Sequence, residues 1–206
     1  MEVAKPDSQE VSRIIQTALA EDVGAGDITS QLTIPASAHT TMCMVAREAM
    51  VVSGLFVAEQ VFKAVDASLE ITIKEAEGAS VRAGAVLADI TGSARSILTA
   101  ERVALNIVQR MCGIATLTAQ YVRALAGTKA IVLDTRKTMP GLRVLDKYAV
   151  RCGGGQNHRM RLDDAILIKD NHIAVAGSVA AAIATVQLSN RGELSVEIEC
   201  DTLAQV

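Results

Sequence analysis

The alternation of apolar and polar positions divides the 206-residue chain into segments of two periods, one helical and one extended. Val11, Ile14, Ile15, Ala18 and Leu19 recur at helical spacing behind Asp7 and Glu10, a pair that resembles a capping box, so an amphipathic first helix is expected. It breaks at residues 21–29, EDVGAGDIT, where two glycines among acids predict a C-cap and turn. Residues 40–52 read as strand, 55–65 as a short apolar helix, and 69–74, LEITIK, as a half-buried strand. Residues 77–92 carry Val81, Gly84 and Leu87 at three-residue steps, like half of the flattened sandwich of biotin- or lipoyl-carrying domains. A carrier needs an exposed lysine on the following hairpin and none follows Leu87 there, so a structural β layer is expected. Residues 96–125, apolar on most faces, predict a buried helix linking two halves and bent near Gly113. Glu101 and Arg102 near its start fit a solvated first turn.

The pattern changes at residue 129. Residues 130–133 and 165–168 are short aliphatic runs that break at once into charge, the reading of a fully buried parallel strand. An Ala-rich helix is expected over 174–188 and a third strand over 194–200, with Glu197 and Glu199 on one face. This βαβ alternation predicts a parallel α/β layer, in which ligands meet residues just past the strand ends.

Charge sharpens that expectation. Residues 134–172 hold eight Lys/Arg against five Asp, whereas the whole chain holds 20 against 23, leaving 12 against 18 elsewhere. A local positive patch at strand ends suits an anionic small substrate. Phe56, Phe62, Tyr121 and Tyr148 are the only aromatic residues, which with the acidic balance argues against nucleic acid as a partner. The polar amino terminus lacks the core of a secretory signal, and the run 173–186 is interrupted by Gly177 and Ser178 before the roughly 18 residues of a membrane span. A cytoplasmic protein without a membrane partner is expected. Cys43, Cys112, Cys152 and Cys200 are scattered, with neither zinc nor dithiol spacing, and read as reduced core residues.

No nucleophile motif appears. Gly153-Gly154-Gly155 is followed by Gln-Asn-His-Arg and not by the Lys-Ser/Thr of a phosphate loop, so a helix terminus is the plainer reading. The informative feature is convergence: Arg136 and Lys137 follow the first run, His158 and Arg159 the glycines, and Lys169 the second run. Guanidinium forks and ammonium charges at one strand-end face suit a substrate with several carboxylates or a phosphorylated sugar.

The stretch LDTRKTMPGLRVLDKYAVRCGGGQNHRMRLDDAILIKDNHI closely resembles the core signature of the quinolinate phosphoribosyltransferases, and EDVGAGDIT, GLFVAEQVF and LTAERVALNIVQRMCGIAT are similar to that family's amino-terminal pattern. The resemblance implies an α/β fold: an N-terminal α/β sandwich with linking helix over residues 1–112 and an incomplete open α/β barrel over 113–206. It implies transfer of phosphoribosyl from phosphoribosyl pyrophosphate to the ring nitrogen of quinolinate, with release of pyrophosphate and CO2. It assigns Arg136, His158 and Arg159 to the quinolinate carboxylates, beside Thr135, and Arg102 to the site of a neighbouring subunit in a homodimer. Lys137 and Lys169 match lysines between quinolinate and the sugar pyrophosphate. Glu199, or alternatively Glu197, matches an acid near the ribose hydroxyls and Mg2+; no metal site made of protein groups alone is expected. The family's later strands, with a second acid and the 5'-phosphate loops, have no counterpart before Val206, so weak quinolinate binding without transfer is the expectation for this stretch. A nicotinate-type relative, a protein related to those linked to molybdate uptake genes, and a non-catalytic remnant that oligomerises remain alternatives.

Overall fold

The computed structural model describes residues 3–190 and 192–206, which pack as two compact units, one ending at Asn157 and the other running His158–Val206. The first unit opens with α1 (Ser8–Val23), whose N-cap Asp7 accepts from the backbone N–H groups of Gln9 and Glu10 and which buries Val11, Ile14 and Ile15. The expected turn at 21–29 closes α1 at Gly24 (φ 54°) but gives way to a short helix, α2 (Ile28–Thr33), because the Asp27 carboxylate caps Ser30 N–H at 2.9 Å. The predicted strand 40–52 is two strands, β1 (His39–Val45) and β2 (Met50–Val51). Then follow α3 (Leu55–Val65), β3 (Glu70–Ile73), β4 (Ser80–Val81) and β5 (Val86–Ser93). β5 lies between β1 and β3, antiparallel to both, and β2 pairs with β4, so the carrier-like stretch is the centre of a structural layer.

The 31-residue α4 (Ala94–Ala124), about 46 Å long at 1.5 Å per residue, is the spine of this unit. Ile97, Ala100, Val103, Ala104, Ile107, Val108, Met111, Cys112 and Ala115 form a buried stripe, while Arg102, Asn106, Gln109 and Gln120 are exposed. The helix is therefore amphipathic and not buried all round, and its assignment is continuous through Gly113. The core gathers this stripe, α3, the inner face of the sheet, α1 and the apolar side of α5 (Arg143–Cys152).

Residues 130–133 do not form the expected buried strand. They make one parallel bridge, Leu133 to Gln156, flanked by Gln156 N–H to Val132 O (2.9 Å) and Asp134 N–H to Gln156 O (3.1 Å). With that single partner Ile131 and Leu133 stay 56% and 47% exposed, so aliphatic composition alone did not secure burial.

The second unit is a parallel βαβ arrangement. β6 (Ile166–Ile168) is followed by α6 (Asp170–Ala176) and α7 (Val179–Asn190), then by β7 (Val196–Ile198), which pairs with β6 in the register Ile166–Val196 to Ile168–Ile198. One helix over 174–188 was expected, but Gly177 in the left-handed region (φ 91°) ends α6. The α/β class is as expected. The expected division at 112/113 falls inside α4. All four cysteines are free, but only Cys112 and Cys152 are buried; Cys43 is exposed because it points outward on β1. Among the described residues no single helix is long and apolar enough to cross a membrane; α6 and α7 reach that length only as a pair bent by 90°.

Candidate active site

The candidate residues fall in both units, and the geometry within each is distinct. In the first, Thr135, Arg136 and Lys137 form a turn directly after the Leu133 bridge, in which Thr135 Oγ1 accepts Lys137 N–H at 3.0 Å. α5 holds the far side of this turn. Arg143 donates to Thr138 Oγ1 (3.1 Å) and to Arg136 O (3.5 Å), and the buried Asp146 accepts Met139 N–H (3.2 Å) while receiving Arg110 through two bonds of 2.7 Å. The Nε of Arg136 is buried without a hydrogen-bond partner, an orphaned donor of the kind folded proteins rarely keep. Lys137 is exposed. Arg102 is on the exposed face of α4, so its side chain is not a buried charge.

The glycine run that ends α5 is a packing device. The N–H groups of Gly153, Gly154 and Gly155 bond to Ala149 O, Arg151 O and Val150 O, each at 3.0 Å, which occupies the donors a phosphate cradle would need. A Cβ on Gly153 would meet Thr118 Cβ at 2.6 Å and Ala115 O closer still, and one on Gly155 would meet Thr118 Cγ2 at 2.9 Å. These glycines let α5 end against α4.

In the second unit the parallel register sets the site. Lys169 follows β6 and Glu199 follows β7, and because Ile168 pairs with Ile198 the two side chains meet, Nζ to Oε1 at 2.6 Å. Two residues earlier on the same face, Glu197 receives His158 Nε2 at 2.9 Å. These pairs leave Glu197 and Glu199 61% and 51% exposed, where ion pairs contribute little and exchange partners readily. Arg159 donates one Nη to Ala165 O (3.1 Å) and lines a cavity of about 380 Å³ walled by Leu162, Ile166, Ile168, Ala182 and Val186. Larger cavities, of about 580 and 740 Å³, are in the first unit and include none of the candidate residues, so size does not mark the site.

Electrostatically, most acids of the 134–172 stretch have partners within it or nearby. Asp134 pairs with Lys147, Asp146 with Arg110, Asp163 with Arg161, and Asp164 accepts the N–H groups of Met160 and Arg161. Among the described residues Arg102, Arg136, Lys137 and Arg159 form no ion pair. Within the stretch, Arg136, Lys137 and Arg159 are thus cations not matched by an acid. The buried thiols add no nucleophile: burial pushes Cys112 up to about 11, and burial likewise raises Cys152.

Sequence reasoning gave Lys169 and Glu199 separate roles, and the parallel register brings them together as an ion pair. It missed that His158 is paired with Glu197, and it counted Asp134, Lys147 and Asn157 as charge or loop when they are polar partners of one another, Lys147 fully buried and Asn157 partly so. The only signal for Lys147 was its place among Leu145, Tyr148 and Ala149, on the apolar side of α5.

Against this geometry, comparison with known proteins is consistent over the whole chain. Sequence profiles of the N-terminal and C-terminal domains of quinolinate phosphoribosyl transferase match residues 27–112 and 114–206. The probable nicotinate-nucleotide pyrophosphorylase [carboxylating] of Synechocystis is 45% identical over 192 residues, covering 93% of this chain and 65% of that protein. The nicotinate-nucleotide pyrophosphorylase [carboxylating] of Mycobacterium leprae is 48% identical over 197 residues, covering 93% and 68%. The crystal structure of NadC from Streptococcus pyogenes superposes with a TM-score of 0.93 at 41% identity, covering 98% of this chain and 72% of that one. The chain thus spans about two thirds of the length of these curated relatives. Matched in both domain profiles and in backbone, the chain belongs to the quinolinate phosphoribosyl transferase family.

Proposed function

We propose that this chain supplies the pyridine-dicarboxylate side of a phosphoribosyltransferase that joins quinolinate to phosphoribosyl pyrophosphate and releases nicotinate mononucleotide, pyrophosphate and CO2. The observation that carries this reading is the orphaned Nε of Arg136 in a turn fixed by Arg143 and Asp146. A carboxylate is the natural acceptor for a buried guanidinium N–H left without a partner. Arg136, His158 and Arg159 are the proposed carboxylate binders, with Thr135 shaping the turn. Lys137 and Lys169 are proposed to face the departing pyrophosphate, and Glu199 the ribose hydroxyls. A dissociating phosphoribosyl group needs its leaving anion stabilised and no protein nucleophile, which accords with protonated, buried thiols. Once the ring nitrogen carries the sugar it is cationic and stabilises the electrons left by the departing CO2, so the enzyme's task there is positioning.

Mg2+ would accompany the pyrophosphate. One or two carboxylates plus substrate phosphates are its usual protein ligation, and Glu199 and Glu197, both half exposed at the end of β7, fit that donor type. The ion supplies charge neutralisation for the leaving group. A homodimer is part of the proposal, with the exposed Arg102 on α4 reaching the partner's site, as is a cytoplasmic setting, in keeping with four free cysteines.

The test is calorimetric titration of quinolinate. Removing one charge-assisted contact costs about 1.5–3 kcal/mol, so Arg136→Ala and Arg159→Ala should each weaken binding roughly tenfold to 150-fold. Unchanged affinity in both would sink the assignment. Nicotinate, with one carboxylate, should bind more weakly than quinolinate; the reverse order would favour a nicotinate-type relative.

A further inference from the structure

Within the first unit a largely buried polar cluster ties Asp134, the residue before the Thr135–Lys137 turn, to α5. Lys147 on α5 is 1% exposed, and its Nζ pairs with Oδ1 of Asp134, itself 7% exposed at the side chain. Asn157 completes the cluster: Nδ2 donates to Asp134 Oδ2 and to Lys147 O (2.8 Å), and Oδ1 accepts from Arg151 Nη1. Arg151 in turn donates its other Nη to Ala4 O at 2.7 Å and packs over the Tyr148 ring. Asp134 is the residue before Thr135, and Asn157 is the residue before His158.

Stability alone does not account for this arrangement. A buried ion pair loses hydration at both ends, and well-packed apolar residues of similar volume usually stabilise a fold at least as well. What the cluster does supply is geometry. The chain segments at 132–134 and 156–157 share two backbone hydrogen bonds around one bridge, too short a ladder to fix the direction in which either leaves. The side chains tie both segments to α5 and to each other. They also engage both oxygens of Asp134, two residues before Arg136 in the chain.

We propose that Lys147, Asp134 and Asn157 are positioning residues, a largely buried triad that fixes the chain where the Thr135-Arg136-Lys137 turn departs and thereby sets affinity for an aromatic dicarboxylate. The last clause rests on the carboxylate-binding reading of the turn; the first does not.

Two variants test it in the full chain. Asp134→Asn/Lys147→Met removes both charges at similar volume, and Asn157→Ala removes the amide bridge. In each, backbone amides of 131–139 and 153–158 should exchange with deuterium at least tenfold faster while those of α3 and α4 are unchanged, with quinolinate affinity down about tenfold and a melting temperature close to wild type. Unchanged exchange in these peptides, or faster exchange without loss of affinity, overturns the proposal. If the double variant does not fold, Asn157→Ala decides alone, and failure of both to fold assigns the triad to global stability and overturns it. Absence of quinolinate binding by the wild-type chain would sink the substrate reading, and the exchange comparison would still decide whether the triad holds the turn.

Discussion

Gly153 shows how a single residue can look like chemistry and act through packing. In sequence it is part of a triple glycine beside His158 and Arg159; in the fold its Cα faces Ala115 O and Thr118 on α4, with no space for a methyl group. Gly153→Ala should therefore force α5 away from α4 and destabilise the chain by about 1–3 kcal/mol, the usual cost of overpacking. The check is the urea midpoint of the variant against wild type, where no shift would show that α5 can move freely. The same contrast explains why the candidate site residues were more legible than their supports. Arg136, Lys137 and Lys169 announce themselves as charge at the ends of apolar runs, and His158 and Arg159 as charge after the glycines. Lys147 carries the same charge as Lys137 in sequence, and only the helix phase of α5 separates a buried partner of Asp134 from an exposed ligand candidate.

Among elements, those with internal periodicity were legible and those that depend on a partner were not. α3 spans Leu55–Val65 as its apolar face predicts, and α1 starts where Asp7 caps it. By contrast residues 130–133 have a strand's composition but only Gln156 to pair with, and α2 exists because Asp27 supplies a cap that the glycine-rich reading had treated as turn. That cap makes a pH prediction. The Asp27 carboxyl is held below its ordinary value near 3.8, chiefly by the Ser30 hydroxyl and then by Ser30 N–H, with Thr99 Oγ1 adding a bond of 3.3 Å. A carboxyl with a depressed folded pKa contributes stability that is complete above about 3.8 and is lost as pH falls through the folded value. Asp27→Ala should lower the melting temperature at neutral pH, and the gap to wild type should narrow below pH 3.8 and close further down. Asp66 and Asp89 are depressed as well, so the wild type itself weakens in that range, and the difference between the two melts isolates Asp27. A gap independent of pH would show that Asp27 acts through shape and not charge.

At the scale of the whole molecule, the open question is how many chains build one site. Arg102 is exposed on the polar face of α4 and pairs with no acid among the described residues, although its neighbours Val103 and Ala104 are buried. In the proposed homodimer such an arginine would serve the second copy, since twofold symmetry presents each such residue to the other's site. If Arg102 acts across the interface while Arg136 acts within its own chain, then Arg102→Ala and Arg136→Ala damage different contributions to each site. Each variant alone should then bind quinolinate weakly at every site. Dissociated, mixed and reassociated, they should form some dimers in which one site holds both substitutions and the other holds neither, so tight binding returns at one site per mixed dimer. Calorimetry reads this as a restored high-affinity fraction, and sedimentation of the same samples confirms the dimer. A dimer with no restored fraction would place Arg102 in the site of its own chain, and a monomeric species that binds quinolinate tightly would remove the partner from the proposal altogether.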